Sequence, residues 1–265
     1  MKNKTRVCLY SEYPSLSLDV DLVSEALSSY GFFTENRGNL FDFLSLSEKD
    51  IHTLAKDFSS AIVPDITLEL NVTNPPGQVV INSELNKLSG RQDLTGNLYD
   101  GFWIQRSLYR LFSEKVSKEL NSQYIHIILT GRLFGTFEDR RYHARVVLMG
   151  EPSLISTSGL IEAPAKPREY YYVKGRMIQS GHDVSGLDEM YKGRYVEYDD
   201  PKITSIIISY VLQVIFYVLT GEAFCDNSKC CLSNSHWQEE VLNVQFEGKL
   251  CDKCKTIVEK KRKEP

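Results

Sequence analysis

Four cysteines that follow a long uncharged segment constrain this chain more than any other feature. Cys225, Cys230, Cys251 and Cys254 have the spacing C-x4-C-x20-C-x2-C. A C-x2-C turn presents two sulfur atoms to one metal ion, and four thiolates form the tetrahedral site typical of structural zinc. The spacing therefore predicts that these four residues bind zinc in the C-terminal part of the chain, with no open position for a reacting water.

The other cysteines leave two points open. Cys231 is adjacent to Cys230 and could replace it as the ligand, and a disulfide or free thiols are the alternative to a metal site. Five of the six cysteines lie from residue 225 onward. The N-terminal apolar run, residues 7–10, is too short for the core of a signal peptide. We therefore predict a reducing environment and a cytoplasmic location.

Length and charge narrow the classes of protein. A chain of 265 residues can form one large domain or two modest ones, and it does not need zinc merely because it is small. The net charge of -4 provides no global basic field for nucleic acid. We predict an α/β domain over residues 1–224 and a zinc-binding subdomain with a charged tail over residues 225–265.

The segment Ile203–Thr220 carries no charge over 18 residues, so it is long enough to be considered as a membrane span. A buried core helix is the alternative, and we favour it because the segment contains several polar side chains. These are Thr204, Ser205, Ser209, Gln213 and Thr220. Gly221 follows directly and is suited to end a helix in a left-handed conformation. We do not expect a membrane partner.

The first half of the chain alternates between strand and helix signals, which predicts an α/β (α+β) fold with a mixed twisted sheet. Ser47 and Asp50 form a capping-box-like helix start. The predicted helices are 17–30, 47–60, 103–120 and 203–220. The predicted strands are 6–10, 32–35, 61–64, 79–81, 124–130 and 142–149, with 152–159, 170–173 and 195–198 as further candidates.

The C-terminal pattern resembles that of the archaemetzincin family of zinc metallopeptidases, H-E-x-x-H-x-x-G-x-x-H-C-x4-C-x-M followed by C-x2-C. On this chain the glycine falls on Gly221, the methionine falls on Leu232, and the cysteines fall on the four named above. The overlay covers about 40 residues. The resemblance implies a metzincin-like mixed sheet with packed helices, a small C-terminal subdomain with four cysteine ligands, and a structural zinc ion.

The catalytic half of that pattern is missing. The three zinc-binding histidines fall on Val214, Val218 and Phe224, and the general-base glutamate falls on Ile215. A catalytic zinc needs imidazole ligands and a group that accepts a proton from its bound water. Hydrocarbon side chains do neither, so we assign no catalytic residue.

The histidines of the chain cannot readily replace the missing zinc ligands, because none of them lies within residues 203–220. They are His52, His126, His143, His182 and His236. His182 and Asp183, with Asp188 and Glu189 nearby, are the least implausible substitute ligands, and we expect them to be solvated loop residues.

The sequence therefore predicts a catalytically inactive relative of these peptidases, with a structural zinc ion and a binding or regulatory role. Its partner would be a peptide or a protein, bound for example by strand addition to a sheet edge. One alternative is an active metallopeptidase with relocated ligands. Another is a nucleic-acid-binding zinc ribbon that uses Trp237, Phe246 and the basic run 260–263, although the net negative charge opposes it.

Overall fold

The computed structural model describes residues 5–12, 17–71 and 75–263, and these form an alternating series of strands and helices. The strands are β1 (Arg6–Ser11), β2 (Phe33–Asn39), β3 (Leu98–Asp100), β4 (Tyr124–Thr130), β5 (Leu133–Glu138), β6 (Arg141–Arg145), β7 (Val147–Leu148) and β8 (Ser153–Ser156). The first helices are α1 (Val20–Ser29), α2 (Leu40–Phe43), α3 (Glu48–Ser60), α4 (Gln78–Leu88), α5 (Gly101–Lys115) and α6 (Thr157–Glu162). The later helices are α7 (Arg168–Gln179), α8 (Leu187–Met190), α9 (Ile203–Thr220), α10 (Gln238–Glu240) and α11 (Asp252–Lys263).

The main sheet is mixed and has the strand order β2-β1-β4-β8-β7. β1 pairs in parallel with both β2 and β4, β4 pairs in parallel with β8, and β7 is antiparallel to β8. A smaller sheet has the order β3-β5-β6. The predicted fold class, a mixed sheet with packed helices and a cysteine cluster near the C-terminus, is confirmed.

Alternation along β1 and β4 explains why helices cover both faces of the main sheet. Val7 and Leu9 point into one core, which also contains α1, α9 and apolar residues of the C-terminal segment. Cys8 and Tyr10 point into the opposite core, which α3 and α5 complete. Successive strand residues face opposite sides, so a strand buried on both faces reads as a continuous apolar run.

Several predicted strands are wrong, and helix signals explain two of them. Residues 79–81 lie in α4 and residues 170–173 lie in α7. Val79 is 82% exposed, so it does not belong to a sheet. Pro167 immediately precedes α7 and provides the fixed backbone angle that favours a helix start.

The other differences concern three predicted strands and one predicted helix. Residues 61–64 form only an isolated bridge from Ile62 to Tyr99, and residues 195–198 form no strand. The predicted strand 142–149 is divided between β6 and β7, which belong to different sheets. The helix predicted at 103–120 is α5, which ends at Lys115.

Helix α9 has the predicted bounds and lies in the first core. It is long and apolar enough to cross a membrane by length and composition, and 61% of it is buried inside the fold. Gly221 ends it with φ of 78°, in the left-handed region. The helix therefore packs as a core element between the sheet and the C-terminal segment.

The polar side chains of α9 are tied to neighbouring segments. The buried Ser209 hydroxyl donates to the Gln245 carbonyl at 2.7 Å, and the Gln213 amide donates to the Ser233 carbonyl at 3.0 Å. Thr204 donates to the Ser17 carbonyl at 2.9 Å. These bonds give partners to polar groups that a lipid environment would leave without them; among the described residues, the Gln213 Oε1 atom has no partner.

A buried charge network connects the carboxyl ends of β1 and β4 to α4. The Arg132 guanidinium donates to Glu12 through Nε and to Glu84 through Nη1, each at 2.6 Å. The Tyr99 hydroxyl donates to Glu84 at 2.6 Å and accepts from Lys87 at 3.1 Å. All five side chains are almost fully buried. The network therefore fixes α4 against the end of the sheet.

We expect Arg132→Met to lower the free energy of unfolding by about 3–5 kcal/mol, because it leaves the buried carboxylate of Glu12 without its cation and leaves Glu84 with Lys87 alone, at 3.9 Å. Urea unfolding followed by circular dichroism measures the change. Arg110→Met is the matched control, since the Arg110–Asp57 pair is more exposed and its loss should cost roughly 0–1 kcal/mol. A value for Arg132→Met within about 1 kcal/mol of the wild type would contradict a stabilising role for the network.

Candidate metal centre

The four predicted cysteine ligands come together from two segments of the chain. Cys225 and Cys230 lie in the turn that follows α9, whereas Cys251 immediately precedes α11 and Cys254 lies in its first turn. Their four sulfur atoms all lie within 4.8 Å of one another. Cys230 and Cys254 are buried, and Cys225 and Cys251 are partly exposed.

The spacing of the sulfur atoms suits a tetrahedral metal better than a disulfide. The sulfurs of Cys225 and Cys251 are 3.7 Å apart. A tetrahedron with metal–sulfur bonds of about 2.3 Å has sulfur–sulfur edges of about 3.8 Å. A disulfide would need about 2.05 Å, and all six cysteines are free. The donor set and its geometry therefore fit a zinc ion.

Backbone hydrogen bonds hold the two halves of the cluster. The Cys230 N–H donates to the Asn227 carbonyl at 2.9 Å, and the Asn227 side chain accepts from the Lys229 N–H at 3.0 Å, which closes a tight turn. The Cys231 N–H donates to the Lys249 carbonyl at 2.9 Å and so joins the two segments. Hydrogen bonds of the backbone thus hold the two cysteine-bearing segments beside each other.

The pKa values of the cluster's thiols are shifted in different directions by their surroundings. The Cys231 thiol and the Cys251 N–H, 3.4 Å from the Cys230 sulfur, lower the pKa of Cys230 to about 4. Burial instead raises the pKa of Cys225 and of Cys254. Negative charges this close repel one another strongly, so four thiolates require a bound cation. The N-terminus of α11 adds a further favourable field for thiolates.

Cys231 lies outside this group of four converging sulfurs. It is fully buried in the first core beside α9. The geometry therefore favours Cys230 over Cys231 as the ligand that faces the other three cysteines.

The four positions that would carry the catalytic groups hold hydrocarbon in two different environments. Val214 and Ile215 are 0% exposed and belong to the first core. Val218 and Phe224 are exposed, at 45% and 40%. Nothing at these positions can bind a metal or move a proton, and Val214 and Ile215 are also closed to solvent.

A second group of metal-binding residue types lies on the other face of the main sheet. Cys8, Glu119 and His126 have ligand atoms within 4.8 Å of one another. The Tyr10 hydroxyl lies 2.9 Å from His126 Nδ1, and Arg37 binds both Tyr10 and Glu119. Arg37 therefore already supplies the positive charge in this cluster.

This second group is also closed to a substrate. Cys8 and His126 are almost fully buried, and burial lowers the pKa of His126 so that it stays neutral. His126 Nε2 faces the Glu119 carbonyl at 3.3 Å, which completes the hydrogen bonds of the ring. We therefore describe the group as a buried polar network rather than a catalytic metal site.

The remaining histidines are dispersed. His52 lies in α3, His143 in β6, and His182 and His236 lie in exposed connecting segments. His182 Nδ1 contacts the Ser180 hydroxyl at 2.9 Å, whereas the Asp188 carboxylate binds Lys166 and Tyr170. Within the described ranges, none of these four histidines joins a group of three or more metal-binding side chains.

Two features at the ends of the main sheet have no signal in the sequence. One is the buried network of Glu12, Glu84 and Arg132 described above, whose members are far apart in the chain. The other is Glu151, in the turn between β7 and β8, whose pKa burial raises to about 7 and whose Oε1 lacks a partner within the described residues. Glu151 belongs to neither group of converging metal-binding side chains.

Comparisons with known proteins give one family match and two alignments with solved structures. A family model described as a probable metallopeptidase family, DUF6775, matches residues 3–261. No curated protein matches the chain.

Two solved structures align with almost the whole chain. An archaemetzincin from Methanopyrus kandleri shares 12% identity, with a TM-score of 0.47, over 99% of this chain and 98% of its own. A zinc-dependent peptidase from Methanocorpusculum labreanum shares 13% identity, with a TM-score of 0.47, over 95% of this chain and 99% of its own. Similarity at this level does not transfer activity or residue roles.

We expect Cys251→Ser to lose bound zinc and to lower the melting temperature, because a structural metal contributes its binding energy to folding. Each kcal/mol of lost stability should lower that temperature by about 2–4 °C. Elemental analysis and thermal unfolding measure the two effects. Cys231→Ala is the matched control and should retain the zinc. Full zinc content in Cys251→Ser, or equal zinc loss in both variants, would contradict the proposed ligand set.

Proposed function

The chain belongs to the probable metallopeptidase family DUF6775, and on this premise we propose that it is a zinc-binding member that does not hydrolyse peptides. Its zinc ion would be held by Cys225, Cys230, Cys251 and Cys254 and would serve the fold. A four-sulfur site has no open coordination position, so such a zinc ion does not activate water.

The observation that most strongly supports the lack of peptidase activity is the presence of hydrocarbon side chains on α9 at the positions of the catalytic groups. Val214 and Ile215 lie in the first core with no exposed surface, and Val218 adds a third hydrocarbon side chain. An active peptidase with relocated ligands would need another open group of imidazoles or carboxylates. Within the described residues, the second converging group is the buried network that contains Arg37 and His126.

We propose that the chain has a binding or regulatory role in place of catalysis, and that its partner is a peptide or a protein. Strand addition to the main sheet is unfavourable at the β7 edge, which has only two residues, whereas β2 at the other edge has seven. An added strand would gain few main-chain hydrogen bonds at β7. The β2 edge is therefore the better candidate for strand addition.

Nucleic acid is not among the partners that we propose. Trp237 carries the Arg168 guanidinium over its ring at 4.8 Å, so one face of this stacking candidate is already occupied. The basic run falls in α11, and the side chains of residues 261–263 lie outside the described part of the chain. The cytoplasmic location and the division at residues 224 and 225 stay predictions.

Metal analysis combined with a peptidase assay tests the proposed function. We expect one zinc ion per chain and no hydrolysis of a mixed peptide library, with or without added zinc. The Cys251→Ser protein should contain no zinc and should be equally inactive. A second zinc ion per chain, together with hydrolysis that a chelator abolishes, would refute the proposal and support relocated ligands.

A further inference from the structure

Two buried glutamine side chains meet at the turn that carries the metal ligand Cys230. Gln213 lies in α9, and Gln245 ends a π-helical turn of five residues. Both side chains are almost fully buried. The turn comprises residues 230–233 and is closed by the Ser233 N–H, which donates to the Cys230 carbonyl at 2.8 Å. The two glutamines therefore lie next to the segment that positions one of the four sulfur atoms.

The two amides bind the same pair of carbonyl groups in this turn. The Gln213 amide nitrogen donates to the Ser233 carbonyl at 3.0 Å and to the Cys231 carbonyl at 3.4 Å. The Gln245 amide nitrogen donates to the same two carbonyls, again at 3.0 Å and 3.4 Å. A side-chain amide has two N–H donors, so one amide can serve both acceptors. The turn is thus held from two sides, by α9 and by the π-helical turn.

The carbonyl between these two connects the turn to a second metal ligand. The Cys225 N–H donates to the Leu232 carbonyl at 2.9 Å. From the other cysteine-bearing segment, the Cys251 N–H lies 3.4 Å from the Cys230 sulfur. A displacement of the turn would therefore move Cys225 relative to Cys230 and would weaken the contact with Cys251. The glutamines thus act on the arrangement of the sulfur atoms through the backbone of the turn.

Gln245 is itself fixed at its backbone and at its side chain. Ser209 lies one helical turn before Gln213 on the same face of α9, and its hydroxyl donates to the Gln245 carbonyl at 2.7 Å. The Ser235 hydroxyl donates to Gln245 Oε1 at 2.6 Å, which orients the amide. The π-helical turn that ends at Gln245 is a rare conformation that is often found at functional sites. Gln245 is therefore in place before any metal binds.

A purely stabilising role does not explain the Gln213 side chain. Its Oε1 atom is buried and has no hydrogen-bond partner among the described residues. A buried oxygen without a partner lowers the stability of the fold. The adjacent α9 residues, Leu212 and Val214, are hydrocarbon and fully buried, so an apolar side chain is compatible with this part of the core. The amide is therefore best explained by what its N–H groups do at the turn.

We propose that Gln213 and Gln245 are positioning residues of the metal centre. By holding two carbonyls of the turn 230–233, they keep the Cys230 sulfur opposite Cys251, so that the sulfur atoms converge before the metal binds. Loss of a group that orients metal ligands typically weakens metal binding by about 10–100-fold. This inference rests on the structural zinc ion proposed above and names the residues of this chain that set its affinity; it involves no chemical step.

The zinc affinity of the full chain tests the proposal, measured by competition with a chromophoric chelator at a temperature where the metal-free chains are folded. The variants are Gln213→Met and Gln245→Met, which remove the amide and keep an unbranched side chain. Gln238→Met is the matched control. Gln238 is also fully buried, and its amide nitrogen donates to the carbonyls of Leu160 and Ile161 at 2.9 and 3.1 Å. Both carbonyls belong to α6, which carries no metal ligand.

We expect Gln213→Met and Gln245→Met each to raise the zinc Kd by about 10-fold, and Gln238→Met to change it by less than about 2-fold. The melting temperatures of the metal-free chains should follow the opposite order for Gln213 and Gln238. Gln213→Met removes an oxygen without a partner, whereas Gln238→Met also leaves the buried Val196 N–H, now 3.1 Å from Gln238 Oε1, without its acceptor.

Cobalt(II) in place of zinc gives a readout of geometry that does not depend on overall stability. The visible absorption bands of a tetrahedral cobalt–thiolate site depend on the arrangement of the sulfur atoms. We expect these bands to shift and weaken in Gln213→Met and Gln245→Met, and to be unchanged in Gln238→Met.

Ser235→Ala is a milder variant that keeps the proposal testable if a glutamine variant does not fold. It removes the bond that orients the Gln245 amide, and it should raise the zinc Kd by about 3-fold. The proposal is overturned if the Kd of the glutamine variants stays within about 2-fold of the wild type, if Gln238→Met raises it equally, or if Ser235→Ala leaves both the Kd and the cobalt spectrum unchanged. A wild-type chain that binds no zinc would instead refute the proposed function.

Discussion

The packing of α9 against the main sheet is the contact on which the rest of the structure depends. The same core contains strand residues such as Val7 and Ile127, the helix itself, and Cys230 and Cys254 of the metal centre. Each large apolar side chain buried there contributes about 1.5–3 kcal/mol. Two residues of the cysteine cluster therefore pack directly into the core formed by α9 and the main sheet.

Local signals in the sequence predicted the elements of this core well. α9 and β4 have their predicted bounds, Gly221 adopts the left-handed conformation, and the capping box of Ser47 and Asp50 is present. The spacing of the four cysteines also predicted that their sulfurs converge. These features depend on residues that are close in the chain or on a fixed spacing between ligands. Each can therefore be recognised from the local sequence alone.

The features that the sequence could not predict depend on distant residues or on competing local signals. Nothing in the sequence indicates that Glu12, Glu84 and Arg132 form ion pairs. Charged residues that are distant in the chain have no periodic pattern or fixed spacing that would reveal such a contact. The sequence also gives no sign of a crevice that lies at the carboxyl end of β4, because its walls come from segments that are distant in the chain, such as those that contain Leu18, Leu94 and Thr130. In α4 and α7, short runs of β-branched or aromatic residues suggested strands, and helical start signals and solvent exposure prevailed.

The burial of Val214 and Ile215 has an evolutionary consequence. An imidazole or a carboxylate placed there singly would enter a dry core and would cost stability before it could bind any metal. An archaemetzincin-like ligand set would need four substitutions, and those at Val214 and Ile215 would lower stability before any metal could bind. The hydrocarbon packing at these two positions therefore opposes the stepwise gain of metal ligands on α9, whereas substitutions at the exposed Val218 and Phe224 meet no such barrier.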